Sequence, residues 1–273
     1  MTHGKRELAD LRQEMVQIDG QLLNLLDRRA RAARRIGELR RDQPAALPLT
    51  DHAMLKQLVD RSSGDMPATP LQEILGAIFA ACLALELPIS VSFVGSESGP
   101  AHRAARSRFG QTAPLIAADT PAGSLEEVWR GRAEYAVVPL ERSTEGLVHA
   151  TVDALITHDL RIVEVIDGPF EEQSIRHAIV GRRPSGRTGS DATAFIFGVK
   201  RTVGALLEGL QVLAERGVPV LKIHSHPGTE LWSYVYFVEA GGHFTDRALV
   251  TAFEELKRVG RSFKLLGSYP LLA

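Results

Sequence analysis

The sequence predicts a multidomain chain: an all-α part, then an α/β part, then an α+β part. Three observations carry that reading. Apolar residues hold a heptad seam from Leu8 to Leu39. The hydrophobic period changes to two at Ile89. From Ala194 to Leu266 the pattern alternates as strand, helix, strand, strand, helix, strand.

The first helix is expected from Glu7 to about Arg41. Its seam reads Leu8, Leu11, Met15, Ile18, Leu22 and Leu25, then Arg29, Ala32, Ile36 and Leu39. A guanidinium on an apolar seam is costly unless an anion meets it, so Arg29 is read either as a buried anion site or as half of a structural ion pair. Arg12 and Arg40 lie on the neighbouring stripe. At about 1.5 Å per residue Arg12 is roughly 25 Å from Arg29, while Arg29 and Arg40 are about 16 Å apart. One small anion is within reach of Arg29 and Arg40, and an antiparallel second copy would bring its own Arg12. The pattern therefore suggests a helical homodimer whose arginines converge on a buried, multiply charged small molecule.

The other arginines of that helix, Arg28, Arg31, Arg34, Arg35 and Arg41, read as a solvated face. A net charge of −1 and the lack of interleaved aromatics argue against a nucleic-acid partner. Composition is that of a soluble globular protein, 44% apolar and 24% charged. The single Cys82 excludes an internal disulfide and fits a reducing cytoplasm. The amino terminus has no apolar signal core, and no apolar run is expected to approach membrane-spanning length. No membrane partner is expected.

In order, Gln43 to Pro48 breaks the first helix. Thr50-Asp51 reads as a cap for a short helix carrying Met54, Leu55 and Leu58, and Pro70 opens a third with Leu71, Ile74, Leu75, Ile78, Phe79 and Cys82 on one face. Val91 and Phe93 mark a strand, Gly95 to Gly99 a glycine-rich turn, and Pro100 to Phe109 a helix. A short helix follows at Leu125–Arg130, a buried strand at Tyr135–Pro139, a helix at Val148–Thr157 and a strand at Arg161–Asp167. Ile175–Val180 reads as a further strand and Pro184–Gly189 as a linker. The remaining elements, Ala194–Val199, Val203–Arg216, Val218–His224, Leu231–Glu239, Asp246–Val259 and Phe263–Leu266, have ferredoxin-like order. Boundaries fall at 1–87, 88–189 and 190–273.

Three resemblances map onto these parts. Leu8-Ala-Asp-Leu-Arg12, Ile18-Asp19, Leu22 to Arg29 and Ile36-Gly37 resemble the all-helical chorismate mutases. That resemblance implies carboxylate binding by Arg12 (from across a dimer) and Arg29. It places Arg40, where the family has lysine, and Glu86 at the substrate's ether oxygen, Asp51 at its hydroxyl, and Cys82 where a serine is common. It also puts Thr50 where the family has an arginine. Glu86 donates only when protonated, and read without the family it is an exposed helix-end carboxylate. No cofactor is implied.

Phe93 to Ala105 and Tyr135 to Asp153 resemble the prephenate dehydratases. Both are strand-to-helix turns with free backbone N–H groups suited to carboxylates, implying substrate contacts from Arg142, Ser143 and Thr144. Arg142 stands where the family has asparagine. That family places its substrate between two lobes, yet only about twenty residues separate Asp167 from Ser190, too few for another βαβ unit of roughly thirty. Ile175-Arg176-His177 matches the family in two ways: as the strand opening the second lobe, or as its Thr-Arg-Phe strand with Ile175 replacing the catalytic threonine.

Gly204-Ala205-Leu206, His224-Ser225-His226-Pro227 and Leu266 to Pro270 resemble the ACT regulatory domain, which implies an aromatic amino acid effector. The family's Glu-Ser-Arg-Pro stands here as His-Ser-His-Pro. His224 and His226 point the same way on a strand and could supply half a metal site, but no further ligand cluster is apparent and no metal is expected.

Together the resemblances follow the order of the bifunctional chorismate mutase/prephenate dehydratases, with a shortened dehydratase part. They imply chorismate, or a relative, as substrate and a role in phenylalanine biosynthesis, with the dehydratase part inactive. The alternatives are a non-catalytic protein that binds an aromatic metabolite, and a mutase or lyase for a chorismate relative in specialised metabolism.

Overall fold

The computed structural model describes residues 2–40, 52–86, 89–168, 174–228 and 234–271. Three helices come first: α1 (Thr2–Arg40), α2 (His52–Asp60) and α3 (Ala68–Glu86). The carboxyl-terminal half of α1 packs along α3, and the two run parallel. Arg29 meets Ile78, and eight residues on in each helix Gly37 lies under Glu86. A Cβ at position 37 would stand 2.2 Å from the Glu86 carbonyl oxygen, so only glycine permits this approach. By length and apolarity α3 is long enough to cross a bilayer, which corrects the expectation that no apolar run approaches that length. Here it packs against α1, α2 and α4 instead.

The α/β part follows as β1 (Val91–Val94), α4 (Pro100–Phe109), β2 (Leu115–Ala118), α5 (Pro121–Trp129), β3 (Tyr135–Arg142), β4 (Gly146–Leu147), α6 (His149–Thr157), β5 (Arg161–Gly168) and β6 (Ile175–Gly181). Its sheet has the order β2-β1-β3-β6-β5 and is mixed: β1, β2 and β3 are parallel, while β6 runs antiparallel between β3 and β5. Helix α4 covers one face through Ala104, Ala105 and Phe109 against Phe93, Val137 and Ile179. Helices α5 and α6 cover part of the other.

The rest of that second face is covered by another sheet. This one comprises β7 (Asp191–Gly198), β8 (Val220–Pro227), β9 (Tyr234–Gly241) and β10 (Ser262–Pro270), with α7 (Ala205–Ala214) and α8 (Arg247–Val259) on its far side. The order β10-β7-β9-β8 is antiparallel throughout. Every residue of β7 is buried. Phe195 and Phe197 face α7 and α8, whereas Ala192, Ala194 and Ile196 face the first sheet. The small side chains let the sheets close. At the nearest point Gly267 lies on Ile162, where a Cβ would sit 2.2 Å from the Ile162 carbonyl oxygen. One core thus takes residues from both sides of the 189/190 boundary: Leu155, Ile162 and Val180 with Ala194, Phe237 and Leu266.

Candidate functional sites

Among the sequence-derived mutase residues, the fold gathers some at one end of the α1–α3 pair. Arg29 is half-buried; its Nη1 donates to the Ile78 carbonyl at 3.2 Å, and its guanidinium lies 4.6 Å from the centroid of the Phe79 ring. Among the described residues no carboxylate pairs with it. Cys82 and Glu86 follow Ile78 at one-turn spacing on α3, and both are partly exposed. Arg40 is the last residue of α1. Thr50 and Asp51 lie outside the described residues. Arg12 is exposed, far up α1, and is not brought to this cluster within one chain. Around it the apolar seam is open: Leu11 is 54% exposed, Met15 64% and Leu22 52%.

A second set of residues lies at the carboxyl ends of β1 and β3. Gly95 and Ser98 both have positive φ, 95° and 66°, and turn the chain into α4, whose first residue is Pro100. Arg103 Nη1 donates to the Ser98 carbonyl at 2.7 Å. Arg142 pairs with the exposed Glu145 at 2.7 Å, while Ser143 and Thr144 sit in the exposed turn after it. Ile175 is opposite Arg142 in the ladder. Two places on, His177 is buried; burial pushes its imidazole down to about 4, and Arg103 and Arg142 add to that. The two matches open for Ile175-Arg176-His177 are now distinguished. β6 lies inside the first sheet, so it is not the opening strand of a second lobe. Residues 169–174 alone connect β5 to β6, and the two strands pair directly.

The third arrangement is a charged seam between the two sheets. Arg176 of β6 meets Glu141 at 2.7 Å, Glu239 at 3.1 Å and Asp167 at 3.2 Å. The Tyr269 hydroxyl donates to Glu239 at 2.6 Å, and Lys222 and His224 of β8 also turn to Glu141. Burial alone would raise the Glu141 carboxyl, but hydrogen bonds from Lys222 and Arg176 bring it below its ordinary value. Burial, with Glu239 beside it, holds the Tyr269 hydroxyl well above its ordinary value. Further along β8, His226 Nε2 lies 2.7 Å from Asp153 Oδ1, and His226 Nδ1 lies 2.9 Å from His149 Nδ1.

The effector residues implied by the sequence therefore divide. His224 and His226 face the first sheet, Ser225 is exposed on the alternate position, and Pro227 ends β8. Gly204, with a φ of 81°, caps α7 on the far side, followed by Ala205 and Leu206. Sequence reasoning missed the partners in this seam. His149 and Asp153 stand at i, i+4 on a helix it did place, a usable signal; nothing in the sequence joins them to His226.

The comparisons agree with this layout. Residues 11–87 match the family described as chorismate mutase type II, and residues 91–185 match the family described as prephenate dehydratase. A bifunctional chorismate mutase/prephenate dehydratase from Aquifex aeolicus is 27% identical over 354 aligned positions, covering 97% of this chain and 98% of that one. A solved chain described as a novel type of quorum quenching acylase shares 26% identity at a TM-score of 0.60, over 67% of this chain and 95% of that one. The prephenate dehydratase from Arthrobacter aurescens, solved with L-Phe, has the same fold at 22% identity and a TM-score of 0.60, over 67% and 90%. Fold and matches define a helical chorismate mutase segment joined to a dehydratase-like α/β segment. The two family matches, with curated relatives aligned over nearly the whole chain, support a place among the bifunctional chorismate mutase/prephenate dehydratases of aromatic amino acid biosynthesis.

Proposed function

We propose that this chain is a chorismate mutase that works as a homodimer and has no prephenate dehydratase activity. The observation that carries the first claim is Arg29: a half-buried guanidinium on a matched mutase segment, with no carboxylate against it among the described residues. The rearrangement needs no cofactor. It needs one folded conformer of a dianion and cationic or protonated donors where charge grows on the ether oxygen. In this reading Arg29 and the partner copy's equivalent of Arg12 hold carboxylates, Arg40 and Glu86 face the ether oxygen, Asp51 takes the hydroxyl, and Cys82 lines the wall. The open seam on α1 supports the dimer, because exposed side chains such as Met15 and Leu22 would be buried by a second copy.

Two facts support loss of the dehydratase step. An alignment of 354 positions against a chain of 273 residues leaves at least 81 positions facing a gap. The β5–β6 connection is where such a gap fits, and it removes the wall opposite Arg142, Ser143 and Thr144. The carboxyl-terminal sheet is read as an ACT-like regulatory part at 190–273, following parts at 1–87 and 88–189. With its β8 histidines turned into the seam, its response to an aromatic amino acid is altered. The setting is cytoplasmic.

The test supplies chorismate and prephenate separately to the purified chain. Prephenate formed from chorismate, no phenylpyruvate from prephenate, and a dimer by light scattering are expected. A monomer with no rearrangement would instead favour a non-catalytic protein that binds an aromatic metabolite. Enzyme-dependent phenylpyruvate that vanishes on Arg142→Ala would overturn the second claim.

A further inference from the structure

We propose that His149 and His226 form the corner of a site for an imidazole-preferring divalent transition ion, Cu2+ or Ni2+, that ties α6 to β8. The site is independent of the mutase reading and of any substrate.

A carboxylate accepts hydrogen bonds and does not donate them, so the Asp153 contact at 2.7 Å requires His226 to carry its proton on Nε2. Neutral His226 then presents a lone pair at Nδ1. Only 2% of His226 is exposed, and Asp153 fixes its ring. A carboxylate on the far nitrogen of an imidazole is the outer-shell arrangement that orients a metal-ligating histidine and raises its basicity. The group facing that lone pair is a second imidazole, His149, with the Nδ1 atoms 2.9 Å apart and the ring centroids 4.9 Å apart. One of the two rings now supplies the proton between them. An ion displaces that proton, and His149 becomes the Nε2–H tautomer with its own Nδ1 lone pair available.

The spacing selects the geometry. With metal–nitrogen bonds of about 2.0–2.1 Å, two ligands at a right angle stand about 2.9 Å apart, and two at the tetrahedral angle about 3.3 Å. The present 2.9 Å is a hydrogen-bond spacing with one proton between the nitrogens, and it lies nearer to adjacent corners of a square-planar or octahedral ion than to those of a tetrahedral one. To make that corner, His149, which is exposed at the start of α6, swings its ring aside so that both lone pairs meet beside the present hydrogen-bond line. Among the described residues no three His, Cys, Asp or Glu side chains converge as a closed metal site. The remaining positions therefore open to water on the His149 side. Such an ion would clamp α6 to β8 beside the charged seam, a binding and stabilising role.

The test titrates Cu2+, and separately Ni2+ and Zn2+, into the full-length chain. One equivalent of Cu2+ per chain is expected, with two imidazole nitrogens in its paramagnetic resonance spectrum and a rise in the unfolding midpoint. His149→Ala should abolish all three signals, His224→Ala should leave them, and Asp153→Asn should weaken binding 10- to 100-fold. Ni2+ should bind more tightly than Zn2+. No saturable equivalent, an equivalent that survives His149→Ala, or Zn2+ binding more tightly than Ni2+ would overturn the proposal.

Discussion

Arg29 and Arg176 are both arginines held partly out of water, and their surroundings are opposite. Among the described residues, Arg29 meets one carbonyl and one ring face. Arg176 meets Glu141, Asp167 and Glu239. Burial opposes the charge of Arg176, but Glu239 and Glu141 outweigh it and raise its proton affinity further. The difference separates a site from a strut. A guanidinium already neutralised by three carboxylates has no capacity left for an anionic ligand, and one without an anion does. The surfaces around them follow suit. Helix α1 leaves apolar side chains in water, whereas the two sheets share a closed core.

The largest effect expected on this comparison is at the strut. Arg176→Ala leaves Glu239, whose side chain is 3% exposed, without its cation, and should cost about 3–5 kcal/mol of unfolding free energy in a urea titration. A loss under about 1 kcal/mol would show that the seam carries no stability. Next comes the site. Arg29→Ala should remove about 3 kcal/mol of transition-state stabilisation, read from kcat/KM for chorismate, with Arg31→Ala nearly neutral. Equal effects of the two would mean that Arg29 is no more than another surface charge.

A smaller effect is expected at His177. Its imidazole titrates near 4 in the fold and near 6.5 when unfolded, so as pH falls the unfolded chain takes up the proton first. Stability is lost between about pH 6.5 and 4, amounting to about 2 kcal/mol by pH 5. His177→Phe should remove that slope; matching acid profiles of the two proteins would show that His177 is not held neutral. Least of all, Glu145→Ala, which breaks the exposed pair with Arg142, should change stability by less than about 0.5 kcal/mol in the same assay.

What the sequence made legible was local. The heptad seam located α1, the glycine-rich turn and Pro100 located α4, and the final alternation of elements matched the order β10-β7-β9-β8. Strand β2 was missed because Leu115-Ile-Ala-Ala118 is short and does not alternate. The seam was missed for another reason. Arg176 and Glu239, or His149 and His226, are distant in sequence and meet only because Ala192, Ala194 and Gly267 let one sheet settle on the other. Arg29 was singled out by its place on an apolar stripe, but its lack of a carboxylate partner among the described residues is a property of packing.

The β5–β6 ladder has a consequence for engineering. Past a register shift between Ile162 and Glu164 it runs evenly to its last pair, Gly168 against Ile175. Neighbouring strands lie about 4.8 Å apart, so a foreign domain spliced between these two residues would leave and re-enter the sheet through one doorway. Domains with adjacent termini suit such a splice, and grafting there breaks none of the ladder pairs that hold Arg142, His177 or the seam. The chain is in that sense a ready recipient for a transplanted lobe.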